Sequence, residues 1–420
     1  MVELAKLLEP INGDPVRAQM GIIFHIVVAI LVALVIGMYA VPLLTKTLNG
    51  PSSPVGAIGK NYDTLQGSRQ SLKAYMAANN IDDSVSLTQF QVATANFGGI
   101  FTEARGLLNP WTGTVSPDAA TMQVQAGARA IVFDIWPDPA NMANPVVCAM
   151  VDTSQWWYQN WWRNTGGMTQ GQGTYSNWQL LTRNKVDAGT MMQAAVTAAF
   201  NQSSPQSGDP FFLILHLHGA MSISYLNTLG SKLQTALQGR GLSTTYGQWQ
   251  QQSKLCSAPI SEFIGTGTSA GGFAYVIVIP DMSPGYNILP GINTYSGFTA
   301  ALKGTTLGDL TNAVEQNPNT MYFTPGGIGP IAVQNQPNCL LGATTQLTLA
   351  QAGFCLVQPS IGGQATDNGT LFKDNSFQNC QQTGAQFVAA NLFSQDSADG
   401  ILQAWFDPKM FGTYSFKKGT

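Results

Sequence analysis

Seven short apolar runs, separated by helical patterns, constrain this chain most. They lie at 90–93, 130–135, 145–151, 211–217, 275–279, 354–357 and 386–390. Each is rich in β-branched or aromatic residues and bounded by Gly, Pro or polar residues, which reads as a buried strand. Amphipathic helical patterns at 191–200 and 222–237 flank the fourth run, the second carrying Tyr225, Leu229, Leu233 and Leu237 on one stripe. Apolar strands alternating with helices predict a parallel sheet covered on both faces. Seven or eight such strands in about 335 residues predict a TIM-type (β/α) barrel over 84–420.

The run at 130–135 is the most informative. A small-residue turn, Ala126-Gly127-Ala128, opens onto Arg129, and Asp134, Trp136 and Asp138 stand at the far end. A carboxylate and an indole at the C-terminal end of a barrel strand occupy the position where such folds keep their chemistry. The alternative is a core strand whose Asp134 caps the next loop.

Ahead of the globular part lies an uncharged stretch, 20–44, flanked by Arg17 and Lys46 and interrupted only by His25. It is long enough to span a bilayer as a helix. It is longer than a signal-peptide apolar region and shows no small-residue cleavage site. The sequence therefore predicts an N-terminal segment (1–19), one uncleaved transmembrane helix (20–44), and a linker with a helix (45–83). Lys6 and Arg17 on one side balance Lys46 and Lys60 on the other, so orientation stays open.

Charge is sparse, at 10% of residues with net −3. No basic field exists to attract nucleic acid. An amide-rich, weakly charged surface suits a protein covered by neighbours. Five scattered cysteines show no zinc spacing. Cys148 and Cys355 fall in apolar runs and read as buried thiols, whereas Cys339 and Cys380 sit in polar segments that would pair in an oxidising compartment. Two glycosylation triplets begin at Asn201 and Asn368.

Five segments, in order across 87–416, resemble the phosphatidylinositol-specific phospholipase C family. They are Leu87-Thr88-Gln89-Phe90 through Thr94-Ala95-Asn96, and Gly127-Ala128-Arg129 through Phe133-Asp134-Ile135-Trp136. Pro145-Val146-Val147-Cys148 follows, then PFFLILHLH from Pro210 to His218, then Gly384 to Asn391 with Phe411 and Phe416. The resemblance implies a phosphodiesterase barrel in which two histidines act as general base and general acid. The positions matching those histidines are Ala95 and Ala149. Of the family's calcium ligands, Asn96 and Asp134 remain, while the two glutamate positions hold Val132 and His216. A hard cation requires six or more oxygens, so the resemblance implies a member without a metal or other cofactor.

His216 and His218 are the remaining candidates for chemistry. Strand alternation puts both on one face, where Asp134 or Asp152 could join them for acid–base or zinc work. Zinc catalysis generally uses a third protein ligand, and the sequence places none beside the pair. Buried, hydrogen-bonded core histidines are the alternative.

After the third run, 152–184 forms an insertion holding Trp156, Trp157, Tyr158, Trp161 and Trp162. Six of the nine tryptophans lie between Trp136 and Trp178. Such a cluster reads as a local aromatic core or as an interface anchor toward protein or lipid. Taken together, the sequence predicts a membrane-anchored, non-catalytic barrel that serves as a structural component of a large assembly. Its partners would be a lipid bilayer through 20–44 and other proteins, and a minor capsid protein of a membrane-containing virus is one such setting. The competing expectation is a membrane-anchored phospholipase or phosphodiesterase with a relocated centre around His216 and His218.

Overall fold

The structure is a computed structural model. It describes residues 27–30, 69–102, 113–152, 178–180, 182–219, 221–241, 259–265, 272–280, 295–311, 321–323, 355–357, 386–390, 392 and 411–418. The chain divides into two compact units, Met1–Ala57 and Ile58–Thr420. Of the first unit only 27–30 are described, and they are helical and exposed. The rest of the 20–44 span lies outside the described residues. Among the described residues no helix is long and apolar enough to cross a membrane.

In chain order the strands are β1 (Phe90–Ala95), β2 (Ile100–Thr102), β3 (Gly113–Val115), β4 (Ala130–Asp138), β5 (Asn141–Val147), β6 (Met150–Asp152) and β7 (Trp178–Leu180). They continue with β8 (Val186–Asp187), β9 (Phe211–Leu217), β10 (Ala274–Pro280), β11 (Met321–Phe323), β12 (Cys355–Val357), β13 (Phe387–Ala390) and β14 (Phe416–Lys418). The helices are α1 (Leu72–Ala78), α2 (Pro117–Gln125), α3 (Ala188–Ala199), α4 (Ile223–Leu237), α5 (Tyr295–Leu302) and α6 (Thr306–Leu310).

The fold is mixed α/β. Its main ladder runs β10-β9-β4-β1-β13-β12-β11, with every pairing along that path parallel. Neighbours follow chain order in two runs, from β1 to β10 and from β11 through β13 back to β1. No pairing between β10 and β11 occurs among the described residues. The run expected as a third parallel strand over 145–151 differs. β5 turns back and pairs antiparallel with β4, Trp136 opposite Val146 and Ile135 opposite Val147, and 150–152 form the separate β6. A tight reversal at Asp138–Asn141 requires antiparallel pairing, because a parallel return needs a crossover of a dozen residues or more.

One face of the ladder carries a continuous apolar cluster that includes Phe90, Val92, Ala130, Val132, Phe212, Ile214, Tyr275, Ile277 and Phe387. These are alternate residues on their strands, as a two-residue repeat dictates. The intervening Ile131, Phe133, Leu213 and Leu215 are fully buried as well, which explains the near-continuous apolar runs.

The helices start where their caps allow. The Asp187 carboxylate accepts from the Thr190 N–H at the start of α3, and the Ser222 hydroxyl from the Tyr225 N–H at the start of α4. α4 buries Tyr225, Leu226, Leu229, Leu233 and Leu237 and ends at Gln238 in the left-handed region. Of the helix expected within 45–83, α1 (Leu72–Ala78) is seen, capped by the Ser71 hydroxyl, while 45–68 lie outside the described residues.

Arg129, at the N-terminal end of β4, fastens this end of the sheet. Its Nη1, Nη2 and Nε donate to the carbonyls of Ala199, Asp209 and Pro210 at 2.9, 2.7 and 3.3 Å. Gly127 before it has φ +111°, and a Cβ there would come within 3.0 Å of the Arg69 side chain, so the turn admits glycine.

Candidate functional site

Asp134, His216 and His218 come together at the C-terminal ends of β4 and β9. The parallel register sets Asp134 beside His216. Both side chains continue the face that carries Val132 and Ile214, so the apolar ladder ends in a polar rung. His218 follows β9 and extends the ladder, its N–H donating to the Ile135 carbonyl at 2.9 Å.

The Asp134 Oδ1 meets His218 Nε2 at 2.8 Å and His216 Nδ1 at 3.3 Å. All three residues are buried, Asp134 completely. Burial pushes the Asp134 carboxyl upward, but hydrogen bonds from both imidazoles and their charge outweigh it and hold the group at about 2. Asp134 is therefore an anion at neutral pH. Trp136, two residues along on the same strand, stacks on the His218 ring at 4.4 Å and 11°. The two imidazoles lie 4.1 Å apart, centroid to centroid. Trp136 also packs with Val146, Cys148 and Met150. Cys148 is a buried free thiol, raised well above its usual range by burial and then by the Asp134 charge.

The sequence offers Asp134 or Asp152 to join the histidine pair without placing either beside it, and the structure brings Asp134 there. Asp134, 82 positions before His216, is brought in by the β4–β9 pairing. The three donor atoms lie within 4.8 Å of one another. The stacking of Trp136 on His218 has no sequence signal beyond its position at a strand end.

The other anticipated positions separate from this centre. Ala95 is the last residue of β1 and pairs with Ile131 and Ala390, on the face opposite Thr94, which pairs with Ala130 and Ala389. Ala149 lies after β5, fully buried, its N–H donating to the Thr182 hydroxyl at 3.4 Å. Val132 belongs to the apolar core. Asn96 is buried in the turn after β1, where Gln123 donates to the Asn96 and Phe97 carbonyls. Two imidazoles and one carboxylate do not fit calcium, a hard cation that requires oxygens. The side chain of Asp152, the aromatic residues Trp156, Trp157, Tyr158, Trp161 and Trp162, Asn368, and Cys339 and Cys380 lie outside the described residues.

No protein-family model matches the sequence, and no curated protein matches it. Among solved structures the chain is similar to L. pealei PLC21, at 11% identity and TM-score 0.43, over 81% of this chain and 38% of that one. It is similar to S. officinalis PLC21 at 10% identity and TM-score 0.42, again covering 81% of this chain and 38% of that one. A calcium-dependent phosphoinositol-specific phospholipase C from Pseudomonas sp. matches at 12% identity and TM-score 0.37, over 80% of this chain and 98% of that one. The chain thus spans 38% of the length of each PLC21 it matches.

Proposed function

We propose that the chain is a phospholipase C-like (β/α) barrel, tethered to a membrane through 20–44, that hydrolyses phosphodiesters from a relocated centre at Asp134, His216 and His218. One observation carries this reading: both imidazoles converge on one carboxylate oxygen at the strand ends where barrels keep their chemistry. Replacing a buried ionic cluster by well-packed apolar residues is often neutral or stabilising. Core packing alone therefore gives little reason for three ionisable groups at the end of an apolar ladder.

Phosphodiester cleavage needs one group to take a proton from the attacking oxygen and another to protonate the leaving oxygen. His216 and His218 supply two such groups, and Asp134 orients both. The barrel part of the reading rests on the chain-order sequence of the seven parallel strands, with β10 and β11 as the strands that would close it.

A second reading has its own support. Ala95 and Ala149, which match the two histidines of the phospholipase C pattern, are both fully buried methyl groups and transfer no protons. On this reading the chain is a non-catalytic assembly component held at a bilayer among other proteins, such as a minor capsid protein of a virion.

Turnover of a phosphoinositide and of a soluble phosphodiester, by wild type and by the His216→Ala/His218→Ala variant, decides between them. Turnover by the wild type that the variant loses supports the relocated centre. A folded wild type without turnover overturns it in favour of the assembly reading.

A further inference from the structure

We infer that Asp134, His216 and His218 form a three-ligand site for a borderline divalent transition metal of the zinc class. The inference rests on the hydrolytic reading of the same cluster and reassigns its parts: with an ion bound, the two imidazoles would hold the metal, and metal-bound water would replace them as the proton-transferring group. Imidazole nitrogen and carboxylate oxygen together suit zinc, cobalt or iron(II), whereas a hard cation would choose oxygens alone. Zinc–nitrogen and zinc–oxygen bonds of about 2.0–2.1 Å at tetrahedral angles place neighbouring ligand atoms about 3.3 Å apart. The separation of His216 Nδ1 from Asp134 Oδ1 is already 3.3 Å, and that of His218 Nε2 is 2.8 Å. All three donors lie within 4.8 Å. To hold an ion, His218 Nε2 draws back from the carboxylate by about half an ångström and the two imidazole nitrogens, now within 4.8 Å, settle at tetrahedral spacing. The imidazoles would offer the lone pairs of Nδ1 of His216 and Nε2 of His218, with hydrogen on the opposite ring nitrogens.

The frame is rigid in the way a metal centre requires. His216 pairs with Asp134 on one side and Ile279 on the other. His218 is held by its main-chain bond to Ile135 and by the Trp136 ring stacked on it. Three protein ligands leave coordination free for water and one further oxygen, the pattern of catalytic rather than structural zinc. A metal there would polarise a phosphoryl oxygen and ease deprotonation of water.

The test titrates the full chain, stripped with chelator, with zinc and with cobalt(II). Calorimetry reads stoichiometry and affinity, and the visible cobalt spectrum reads coordination. The expected result is one metal per chain, an intense low-coordinate cobalt spectrum, and no competition from excess calcium. His216→Ala, His218→Ala and the near-isosteric Asp134→Asn should each weaken binding by about 100-fold or more, the upper end of what disturbing even an outer-shell partner costs. Trp136→Phe, which keeps a stacking ring, should retain the site. Absence of binding by folded wild type, or binding indifferent to all three ligand variants, overturns the inference. Zinc binding without turnover leaves the metal site standing and removes the hydrolytic reading. Turnover that survives chelator yet is lost with the histidines does the reverse.

Discussion

Asp134 stands directly across the β4–β9 ladder from His216, yet its shorter contact, 2.8 Å against 3.3 Å, is with His218 two residues further on. One carboxylate oxygen therefore serves both imidazoles, and removing it disturbs both. Asp134→Asn keeps the volume and one accepting oxygen but removes the charge. If the proposed hydrolytic centre operates, this should lower phosphodiester turnover by about 10²- to 10⁴-fold, the usual contribution of a general acid–base group, with little change in the circular dichroism spectrum. Turnover within tenfold of wild type would show that the carboxylate does not organise the histidines.

Two buried carboxyls respond to pH in opposite directions. Burial raises Asp209 to about 7, against the opposing charge of Arg129 and the Leu72 N–H that donates to both its oxygens. A raised folded-state value means the native chain binds the proton more tightly. That stability is complete below about pH 4 and disappears as pH rises through about 7, worth of order 4 kcal/mol at 1.36 kcal/mol per unit. Asp209→Asn should flatten the urea-unfolding free energy between about pH 4 and 7. Asp134 is lowered, so its contribution of about 2 kcal/mol is present above about pH 4 and is lost as pH falls toward 2. An unchanged pH slope in Asp209→Asn would place the titration elsewhere.

Arg129 holds three carbonyls from the α3–β9 connection and β9's entry, and is itself completely buried. Desolvation brings its guanidinium down to about 10 despite Asp209 nearby, so it is charged at neutral pH. Arg129→Met strands the three carbonyls and should cost at least ~3 kcal/mol, since each buried acceptor left unpaired costs about 1–3 kcal/mol. Chemical denaturation measures this. Loss of less than about 1 kcal/mol would mean that water replaces the side chain.

Gly230 is where α4 meets the turn into α6. A Cβ there would stand 2.3 Å from the Leu307 nitrogen and 2.5 Å from the Thr306 carbonyl carbon. Because the obstacles are backbone, Gly230→Ala must move the two helices apart. An exposed helix would gain from alanine, but here overpacking should dominate at about 1–3 kcal/mol. A stabilised variant in thermal unfolding would show that the α4–α6 contact yields readily.

Much of the fold is legible in local pattern because strands and helices obey periods carried by neighbouring residues. The run at 211–217 coincides with β9, and the stripe at 222–237 with α4. The same two-residue period is enough to place His216 and His218 on one face. The antiparallel return of β5 was not legible, because an apolar run does not encode the direction of its partner. Ala95 likewise carries no local sign of which strands flank it.

By itself, the amino-acid order located the strands β1, β4, β9, β10, β12 and β13 and the helix α4, and put two histidines on one face. Only tertiary structure decided that Asp134 joins them. That pairing spans more than eighty residues and depends on which strand lies beside β4 and in what register. A shift of one residue would turn Asp134 toward the opposite face and dissolve the centre without altering a single local preference.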